Sequence, residues 1–460
     1  MPPKFGTSGL RGLVSDLTDG LCAGYVRAFL QVTPHSGQLM IGRDLRPSSE
    51  RIAAAVAAAA AAEGLTPVDC GALPTPALAL AAMEAGAPSV MVTGSHIPAD
   101  RNGLKFYTAN GEITKADEAA ILRVYAGETD CPPVEAVEDP EAVPSYRRRY
   151  LSYLGRSALS GLRIGVYEHS SVARDLLSET LRFLGAETVS LGRSETFIPV
   201  DTEAVDTATR DMLAGWAAEH GLTAIVSTDG DADRPLMADA AGRVIPGDVL
   251  GVLTASLIGA DTVVTPVSSN TMIELSGRFT RVVRTKIGSP YVIAAMQSAP
   301  KSARVAGFEA NGGFLLGFAA EGRGGLIAPL ATRDAFLPIL LPLAECVRRS
   351  VGLADLVAAL PARATASDRL TGVETEKSLA LVELLSTEPE ARQVFFDGNG
   401  PEAAIDKTDG LRVTFQSGNI LHLRPSGNAP ELRCYAEAED TETAAELVQK
   451  TLEVAREAIG

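Results

Sequence analysis

The sequence predicts an α/β protein of several domains with a separate α+β domain at its C-terminal end. Over most of the chain, short β-like runs alternate with helical stretches, the pattern of parallel sheets covered by crossover helices. From about residue 370, two short runs are instead bridged by Ser417-Gly418-Asn419, a hairpin signal, and an amphipathic helix ends the chain. A chain of 460 residues is also too long for one hydrophobic core, which favours three or four domains.

Strand and helix signals divide the α/β part into three stretches. The first has strand signals QLMIGRD and SVMV on either side of an alanine-rich run, Ile52–Ala62. We expect this run to be a buried helix, because about 20 apolar residues are needed to cross a membrane. The second stretch starts after Ser145–Tyr153 and the third near Gly251, and the polar segment Arg363–Ser378 is the expected linker to the last domain. The predicted domains are residues 1–150, 151–252, 253–368 and 369–460.

The balance of charge limits the partners that the chain can have. Its 41 Lys and Arg against 57 Asp and Glu give a formal net charge of −16, whereas nucleic acids and anionic lipids bind basic surfaces. We therefore expect no nucleic acid and no membrane partner. The five cysteines show no CxxC spacing and the first residues lack a signal-peptide pattern, which favours reduced thiols and a cytoplasmic protein. A monomer and a homodimer both remain open.

A short polar segment, TGSHIP at Thr93–Pro98, follows the apolar run SVMV. A serine held at a strand end by glycine and proline can present its hydroxyl outward, and Lys105 is near enough in sequence to lower the cost of negative charge there. Ser95 is therefore a candidate nucleophile. The alternative is a plain turn, which is the commoner meaning of such a segment on its own.

A second segment, STDGDADR, places three carboxylates at alternate positions after the run LTAIV. Asp229, Asp231 and Asp233 would repel one another at neutral pH unless a cation lay between them, and oxygen ligands on a tightly curved loop suit Mg²⁺. A calcium-binding EF-hand loop needs a glutamate at its twelfth position, where this sequence has Ala240. The remaining alternative is a solvated acidic turn. The segment predicts a magnesium site.

Two further glycine-bearing segments carry groups that bind sugars and phosphates. In GFEANGG, the side chains of Glu309 and Asn311 can face the same way, toward vicinal sugar hydroxyls, although a turn is the commoner meaning of this pattern. The segment RPSGNAPELR combines guanidinium, hydroxyl and amide donors, which suit a phosphate dianion. These donors are Arg424, Ser426, Asn428 and Arg433.

Taken in order along the chain, these segments resemble the α-D-phosphohexomutase family. FGTSGLRG at Phe5–Gly12 is similar to the family's opening phosphate-site loop, TGSHIPADRNGLKFY to its phosphoserine loop and STDGDADR to its metal loop. GFEANGG and RPSGNAPELR are similar to its sugar and phosphate loops, so the match spans essentially the whole chain. The resemblance implies a phosphosugar mutase with four domains around a central cleft, three related mixed α/β domains and a C-terminal α+β domain.

The resemblance also implies a role for each motif residue. The metal site, with one Mg²⁺ per chain, would consist of Ser95, Asp229, Asp231 and Asp233. The groups that act on the transferring phosphoryl group would be Ser95, Lys105, Arg11 and Arg234. The substrate-binding groups would be Glu309, Asn311, Lys286, Arg424, Ser426, Asn428 and Arg433. Phosphate would move between C6 and C1 of a hexose through phospho-Ser95 and a hexose 1,6-bisphosphate, which would also serve as activator.

Two departures from the family pattern lie on the sugar side. Asn311 stands where many members have a serine after the glutamate, and Ser289 stands where related mutases often carry a histidine. The motifs are closest to those of phosphomannomutases, which implies mannose phosphates as substrates, with glucose phosphates second. Phosphoglucosamine mutase activity is the alternative within the family. Outside it, a non-catalytic phosphosugar-binding protein and a metal-dependent phosphatase with an aspartate nucleophile are the competing hypotheses.

Overall fold

A computed structural model describes residues 3–6, 9–426 and 430–460. The chain divides into a larger unit, Met1–Val263 with Gly288–Val357, and a smaller unit, Val264–Ile287 with Ala358–Gly460. This division does not test the four predicted domain boundaries, which stay a prediction. The five cysteines carry free thiols. Within the described ranges, no helix combines the length and the apolar character that crossing a membrane requires.

The first sheet of the larger unit is mixed. Its strands are β1 (Lys4–Gly6), β2 (Gly9–Leu13), β3 (Gln38–Arg43), β4 (Thr66–Ala72), β5 (Ser89–Val92), β6 (Arg101–Thr108), β7 (Gly111–Glu112) and β8 (Val137–Glu138). Their order is β1-β2-β6-β5-β3-β4-β8, with β7 beside β6. Strand β3 runs parallel to β4 and β5, whereas β6 is antiparallel to β5 and β2. The sequence predicted the parallel strands of this sheet. The antiparallel strands β1, β2 and β6 add to the sheet at the edge beside β5.

Helices cover this sheet. They are α1 (Asp19–Val32), α2 (Ser49–Ala62), α3 (Thr75–Ala85), α4 (Lys115–Val124) and α5 (Ala142–Leu154). The alanine-rich run forms most of α2, as predicted, because alanine has the highest helix propensity, and most of its residues are buried. Val26 and Phe29 of α1 and Val56 of α2 join the apolar side chains of the sheet in one core. The N-terminus of α1 is capped by Thr18, whose hydroxyl accepts from the N–H of Leu21.

A second mixed sheet follows in the larger unit. Its strands are β9 (Arg163–Tyr167), β10 (Glu187–Leu191), β11 (Ala224–Thr228), β12 (Pro235–Ala238) and β13 (Val244–Ile245), in the order β10-β9-β11-β12-β13. The accompanying helices are α6 (Arg174–Phe183) and α7 (Thr207–His220), and helix α8 (Gly247–Leu257) follows the sheet in the chain. Strand β11 is parallel to β9 and antiparallel to β12. Its carboxyl end leads directly into the acidic segment, so the sheet fixes where the three aspartates begin.

The third group of elements is divided between the two units. Its strands are β14 (Thr262–Pro266), β15 (Arg281–Thr285), β16 (Val305–Phe308), β17 (Phe314–Leu316), β18 (Ala320–Glu321), β19 (Leu326–Ile327) and β20 (Leu330–Asp334). Its helices are α9 (Met272–Leu275), α10 (Ser289–Gln297), α11 (Phe336–Arg349) and α12 (Leu353–Ala358). In the larger unit, β16, β17 and β20 pair antiparallel, and the turn between β16 and β17 contains the GFEANGG segment. Strand β15 and helix α9 belong to the smaller unit.

The C-terminal part is an antiparallel sheet with helices, as predicted. Its strands are β21 (Ala364–Thr371), β22 (Glu402–Asp406), β23 (Leu411–Phe415), β24 (Ile420–Pro425) and β25 (Glu431–Ala438), in the order β21-β25-β24-β23-β22. Its helices are α13 (Thr375–Thr387), α14 (Pro389–Phe395) and α15 (Thr441–Ile459). The predicted hairpin joins β23 to β24, with Gly418 at φ 87° in its turn. The terminal amphipathic helix is α15.

The prediction that Arg363–Ser378 is a linker is wrong. Residues Ala364–Thr371 form β21 and pair with β25 along the whole strand. As the edge strand of its sheet, β21 exposes most of its polar side chains, so it lacks the apolar alternation that marks a strand in sequence.

Candidate active site

The TGSHIP segment turns sharply after β5 and buries its serine. Ser95 has a backbone φ of 53°, in the left-handed region that residues other than glycine rarely adopt and that is enriched at functional sites. Its N–H donates to Thr93 Oγ1 at 2.7 Å, and its Oγ donates to Asp229 Oδ2 at 2.6 Å. The turn therefore directs the Ser95 hydroxyl at the acidic segment, which the sequence alone could not establish.

An arginine that sequence reasoning missed shapes this turn. Arg46 is buried beside Asp44, to which its Nε donates at 3.1 Å. The rest of its guanidinium donates to carbonyl oxygens of the turn, those of Ser95, Ile97, Pro98 and Arg101. A Cβ at Gly94 would lie 2.7 Å from the guanidinium carbon, so the glycine of the segment is required for this close approach. The signal was available in GRDLRPSS, where a charged pair directly follows a buried strand.

The acidic segment brings its three aspartates together. One carboxylate oxygen from each of Asp229, Asp231 and Asp233 lies within 4.8 Å of the others, and the three side chains are buried. Burial and the two neighbouring carboxylates raise the pKa of Asp229 well above its usual range. Burial alone would also raise the pKa of Asp233, but Arg333, Lys105 and Arg234 hold it below its usual value. The cluster therefore concentrates negative charge that needs a cation.

The hydrogen bonds of these aspartates leave some carboxylate oxygens without a donor. Lys105 Nζ donates to Asp231 Oδ2 at 2.6 Å and to Asp233 Oδ2 at 2.7 Å, and Thr75 Oγ1 donates to Asp231 Oδ2 at 2.5 Å. Within the described residues, Oδ1 of Asp231 and Oδ1 of Asp233 are buried and accept no hydrogen bond. Buried carboxylate oxygens that lack a donor are costly unless a cation binds them. The residues therefore fit a hard divalent cation such as Mg²⁺.

Further guanidinium groups lie near the acidic cluster, and Arg234 Nε is 3.6 Å from Asp233 Oδ1. Arg11 lies on β2, where it pairs with Gly103 of the neighbouring strand. Burial, followed by repulsion from Arg234 and Arg333, lowers the pKa of Arg11 to about 10. Arg234 is buried, and its Nη1 lies 3.2 Å from His96 Nδ1. Because cations that repel one another are stabilised by an anion between them, this grouping suits a phosphoryl group.

His96 is the acceptor in its contact with Arg234. Burial, followed by the charge of Arg234, lowers the pKa of His96 to about 3, so its ring is neutral at physiological pH. The same Nδ1 lies 3.3 Å from Ser95 Oγ. His96 thus links the candidate nucleophile to Arg234.

The two polar side chains of the sugar segment are both buried but have different hydrogen-bond partners. Glu309 is 5% exposed and accepts from Arg333 Nη1 at 3.2 Å. Asn311 Oδ1 accepts from the N–H of Gly313 at 3.0 Å, so part of its polar capacity is used to hold the turn. Arg333 was missed from the sequence, because nothing near it in the chain marks it as different from other arginines.

The remaining predicted substrate-binding residues lie in the smaller unit. Lys286 is exposed at the end of β15, and Arg424 is at the end of β24. Arg424 Nε donates to Asp409 Oδ2 at 2.8 Å, and the N–H of Ile287 donates to the same oxygen at 2.9 Å. Asp409 therefore holds the Lys286 segment and Arg424 together.

The RPSGNAPELR segment is described in part. Ser426 is buried, and its N–H donates to the carbonyl of Glu431 at 2.9 Å. Arg433, on β25 opposite Arg424, has a side chain 38% exposed. Asn428 lies outside the described residues.

Comparison with known families decides the class of protein. Four family models match in order along the chain, each describing one domain of phosphoglucomutase/phosphomannomutase. They are the alpha/beta/alpha domain I at residues 2–130, domain II at 146–242, domain III at 246–364 and the C-terminal domain at 354–454. The chain belongs to the phosphoglucomutase/phosphomannomutase family. The match confirms the predicted three α/β domains and C-terminal domain, and with them a phosphosugar mutase.

Individual relatives agree with this assignment. A phosphomannomutase of Sinorhizobium fredii is 48% identical over 469 residues, covering 99% of each chain. One of Salmonella muenchen is 45% identical over 462 residues, covering 99% of this chain and 96% of the relative. A solved phosphoglucomutase/phosphomannomutase family protein of Burkholderia thailandensis superposes with a TM-score of 0.77 at 20% identity, covering 98% and 96% of the two chains, which shows a shared fold.

Proposed function

We propose that this enzyme moves a phosphoryl group between the C6 and C1 oxygens of a hexose, with mannose 6-phosphate and mannose 1-phosphate as its preferred pair. The observation that carries the proposal is the position of Ser95 Oγ, 2.6 Å from Asp229 Oδ2 and beside a buried carboxylate cluster. The choice of mannose is supported by two relatives of 48% and 45% identity that are phosphomannomutases.

Phosphate monoesters are inert, so this site must act mainly by alignment and by electrostatics. Enzymes accelerate the slowest such reactions by about 10²¹-fold. In a phosphoryl transfer, charge spreads over the oxygens of the moving group, and fixed cations stabilise it without reorganising. Arg11, Arg234 and Lys105 are the groups proposed for this role.

The transfer proceeds in two balanced steps. In the first, the bond between phosphorus and Ser95 Oγ breaks as a sugar hydroxyl oxygen bonds to phosphorus. The proton that the sugar hydroxyl loses is matched by one that Ser95 Oγ takes up, which leaves a serine hydroxyl and a hexose 1,6-bisphosphate. In the second, Ser95 Oγ accepts the other phosphoryl group from that bisphosphate, and the freed sugar oxygen regains a proton. The bisphosphate is therefore both the intermediate and the activator that phosphorylates a resting chain.

Ser95, Asp229, Asp231 and Asp233 would hold one Mg²⁺ per chain. A divalent cation there neutralises charge that develops on the phosphoryl oxygens. The protein's own contribution is the burial of this set, which excludes water that would otherwise hydrolyse the phosphoserine.

Substrate binding is proposed for two groups of residues. Glu309 and Asn311 would read sugar hydroxyls. The groups proposed for the phosphate that is not being transferred are Lys286, Arg424, Ser426, Asn428 and Arg433. Charge-assisted hydrogen bonds of about 1.5–3 kcal/mol each would anchor that phosphate, whichever end of the sugar carries it.

The test is a comparison of kcat/KM for mannose, glucose and glucosamine 1-phosphates, with Mg²⁺ and a trace of hexose 1,6-bisphosphate. We expect mannose 1-phosphate to be preferred, glucose 1-phosphate to be second, and the phosphate to be found on Ser95 by mass spectrometry. A preference for glucosamine 1-phosphate would instead identify a phosphoglucosamine mutase. Phosphate on Asp229 would indicate a phosphatase, and an inactive, unphosphorylated chain would indicate a binding protein.

A further inference from the structure

Arg333 connects two sites that the sequence treats as separate. It lies on β20 and is 2% exposed. Its Nη2 is 2.8 Å from Asp233 Oδ2, its Nη1 is 3.2 Å from Glu309 Oε2, and its Nε is 3.6 Å from Glu112 Oε1. One buried cation therefore contacts a proposed metal ligand, the proposed sugar-binding carboxylate and a third acid.

The backbone and stem of Arg333 are fixed by neighbouring side chains. The next residue, Asp334, accepts from the hydroxyls of Tyr146 at 2.8 Å and Tyr150 at 2.7 Å, both on helix α5. On the other side, a Cβ at Gly313 would lie 2.8 Å from Arg333 Cδ. The glycine that ends the sugar segment is thus needed to admit the arginine stem, which ties the two segments sterically as well as by charge.

The third acid is also held in place. Glu112 Oε2 accepts from Ser289 Oγ at 2.6 Å, and Glu112 Oε1 accepts from Thr332 Oγ1 at 3.4 Å. Ser289 therefore belongs to the network that ends on Arg333 and Glu309.

A guanidinium can serve two acids at once because its nitrogens point in fixed, different directions. Here Nη1 serves Glu309 and Nη2 serves Asp233, while a single positive charge is divided among three carboxylates. If one carboxylate takes another partner, the attraction of Arg333 for the others increases. The contact is thus a route by which a change at Glu309 reaches Asp233.

We propose that Arg333 is a positioning residue that couples sugar binding at Glu309 to cation binding at the acidic cluster. This inference rests on the function proposed above. When a sugar hydroxyl donates to Glu309, the guanidinium shifts its charge toward Asp233. When a divalent cation takes up the charge of Asp233, the guanidinium shifts toward Glu309 and competes with the sugar there, so each ligand weakens the binding of the other.

The test is a double-mutant cycle read by cation affinity. The wild-type chain, Glu309→Gln, Arg333→Gln and the double variant are titrated with Mg²⁺ by calorimetry in the absence of sugar. We expect the effects of the two substitutions on the Mg²⁺ Kd to be non-additive by about fivefold or more. Additivity within about twofold would overturn the coupling.

Kinetics and a conservative variant separate positioning from a structural role. We expect Arg333→Lys to remain folded but to lose most of the effect that Glu309→Gln has on the Mg²⁺ Kd, because one ammonium cannot serve both acids as the guanidinium does. Its kcat should fall more than its KM rises. Arg392→Gln, which removes a partly buried ion pair with Glu402 at 2.8 Å in the smaller unit, is the matched control and should leave the Mg²⁺ Kd unchanged. An Arg333→Lys enzyme with wild-type coupling would overturn the proposal.

The experiment must distinguish loss of coupling from loss of folding, and failure of this inference from failure of the proposed function. If Arg333→Gln fails to fold, as thermal unfolding would show, the cycle is repeated with Arg333→Lys in its place and judged by the same criterion. The cation cycle needs no turnover, so an additive cycle in an active mutase overturns this inference alone. A wild-type chain that turns over no hexose phosphate overturns the proposed function.

Discussion

The acidic cluster, Ser95 with Asp229, Asp231 and Asp233, contrasts with the phosphate face, which we define as Lys286, Arg424, Ser426 and Arg433. The cluster is buried and its groups are held by short hydrogen bonds. In the phosphate face, the side chains of Arg424 and Arg433 are 19% and 38% exposed and Lys286 is exposed. Electrostatic interactions are strong in the first environment and screened in the second.

The difference matches the two tasks proposed for these regions. Bond making requires charges that are fixed in advance and shielded from water, at the cost of burying them. Holding a phosphate that must be released and bound again from the other end of the sugar requires moderate affinity. We therefore expect substitutions in the cluster to change kcat by orders of magnitude and those in the face to change mainly KM.

The largest expected effect is that of Ser95→Ala. Removing the nucleophile should lower kcat/KM by at least about 10⁴-fold, as loss of a group that forms the covalent intermediate does. Activity is measured with hexose 1-phosphate and bisphosphate, and phosphorylation by mass spectrometry. Ser367→Ala, on the exposed edge strand β21, is the control and should be silent. Substantial activity in the Ser95→Ala enzyme would contradict the assignment of the nucleophile.

Asp231→Asn should have the next largest effect. The substitution keeps the size of the side chain but removes the negative charge of the carboxylate, whose Oδ2 accepts hydrogen bonds from Lys105 and Thr75. The Mg²⁺ concentration for half-maximal activity should rise by about 100-fold or more. Asp368→Asn, exposed on β21, supplies the control for a lost surface charge. An unchanged Mg²⁺ requirement would mean that the acidic cluster does not hold the cation.

The three aspartates of the cluster could be grouped from the sequence because they are close in the chain. STDGDADR contains all three aspartates, and TGSHIP, which follows an apolar run, is typical of a turn that carries a serine at the end of a strand. The supporting arginines are different. Arg333 meets Asp233 only after the chain has crossed to another sheet, so no local spacing marks it. Long-range contacts of this kind are decided by tertiary packing, which periodicity and motif do not encode.

The fold shows the same division between local and distant information. The hairpin around Gly418 and the terminal helix α15 follow from turn chemistry and amphipathic spacing, and both are confirmed. Strand β21 was mistaken for a linker, because an edge strand is stabilised by its partner β25 and not by its own apolar pattern. The polar composition of this segment thus correctly indicated that its side chains are exposed, but it wrongly indicated that the segment lacks regular secondary structure.

Arg424→Ala tests the phosphate face and should have a smaller effect. Loss of a charge-assisted contact should raise KM by about 10- to 100-fold, with a smaller change in kcat. Arg369→Ala, which removes an exposed arginine 3.7 Å from Glu431, is the matched control in the same unit. A fall in kcat with KM intact would place Arg424 with the buried chemistry and break the contrast between the two regions.

The smallest effect concerns the support beneath the phosphate face. His422 is 2% exposed, and its Nε2–H donates to the carbonyl of Asp409 at 2.5 Å. Burial lowers the pKa of His422 to about 4, whereas an unfolded histidine titrates near about 6.5. As the pH falls below about 6.5 the unfolded state takes up the proton first, so the stability that His422 contributes is lost progressively toward pH 4.

Urea unfolding of the full chain at pH 7 and pH 4.5, followed for the smaller unit, measures this loss. We expect His422→Gln, which keeps a donor for the Asp409 carbonyl, to reduce the acid-induced fall in free energy of unfolding by about 2 kcal/mol. His35→Gln, at an exposed position, should leave the fall unchanged. An identical pH dependence in wild type and His422→Gln would show that His422 is hydrated in the folded state. The support of the phosphate face would then differ from the acidic cluster in the same way as the face itself does.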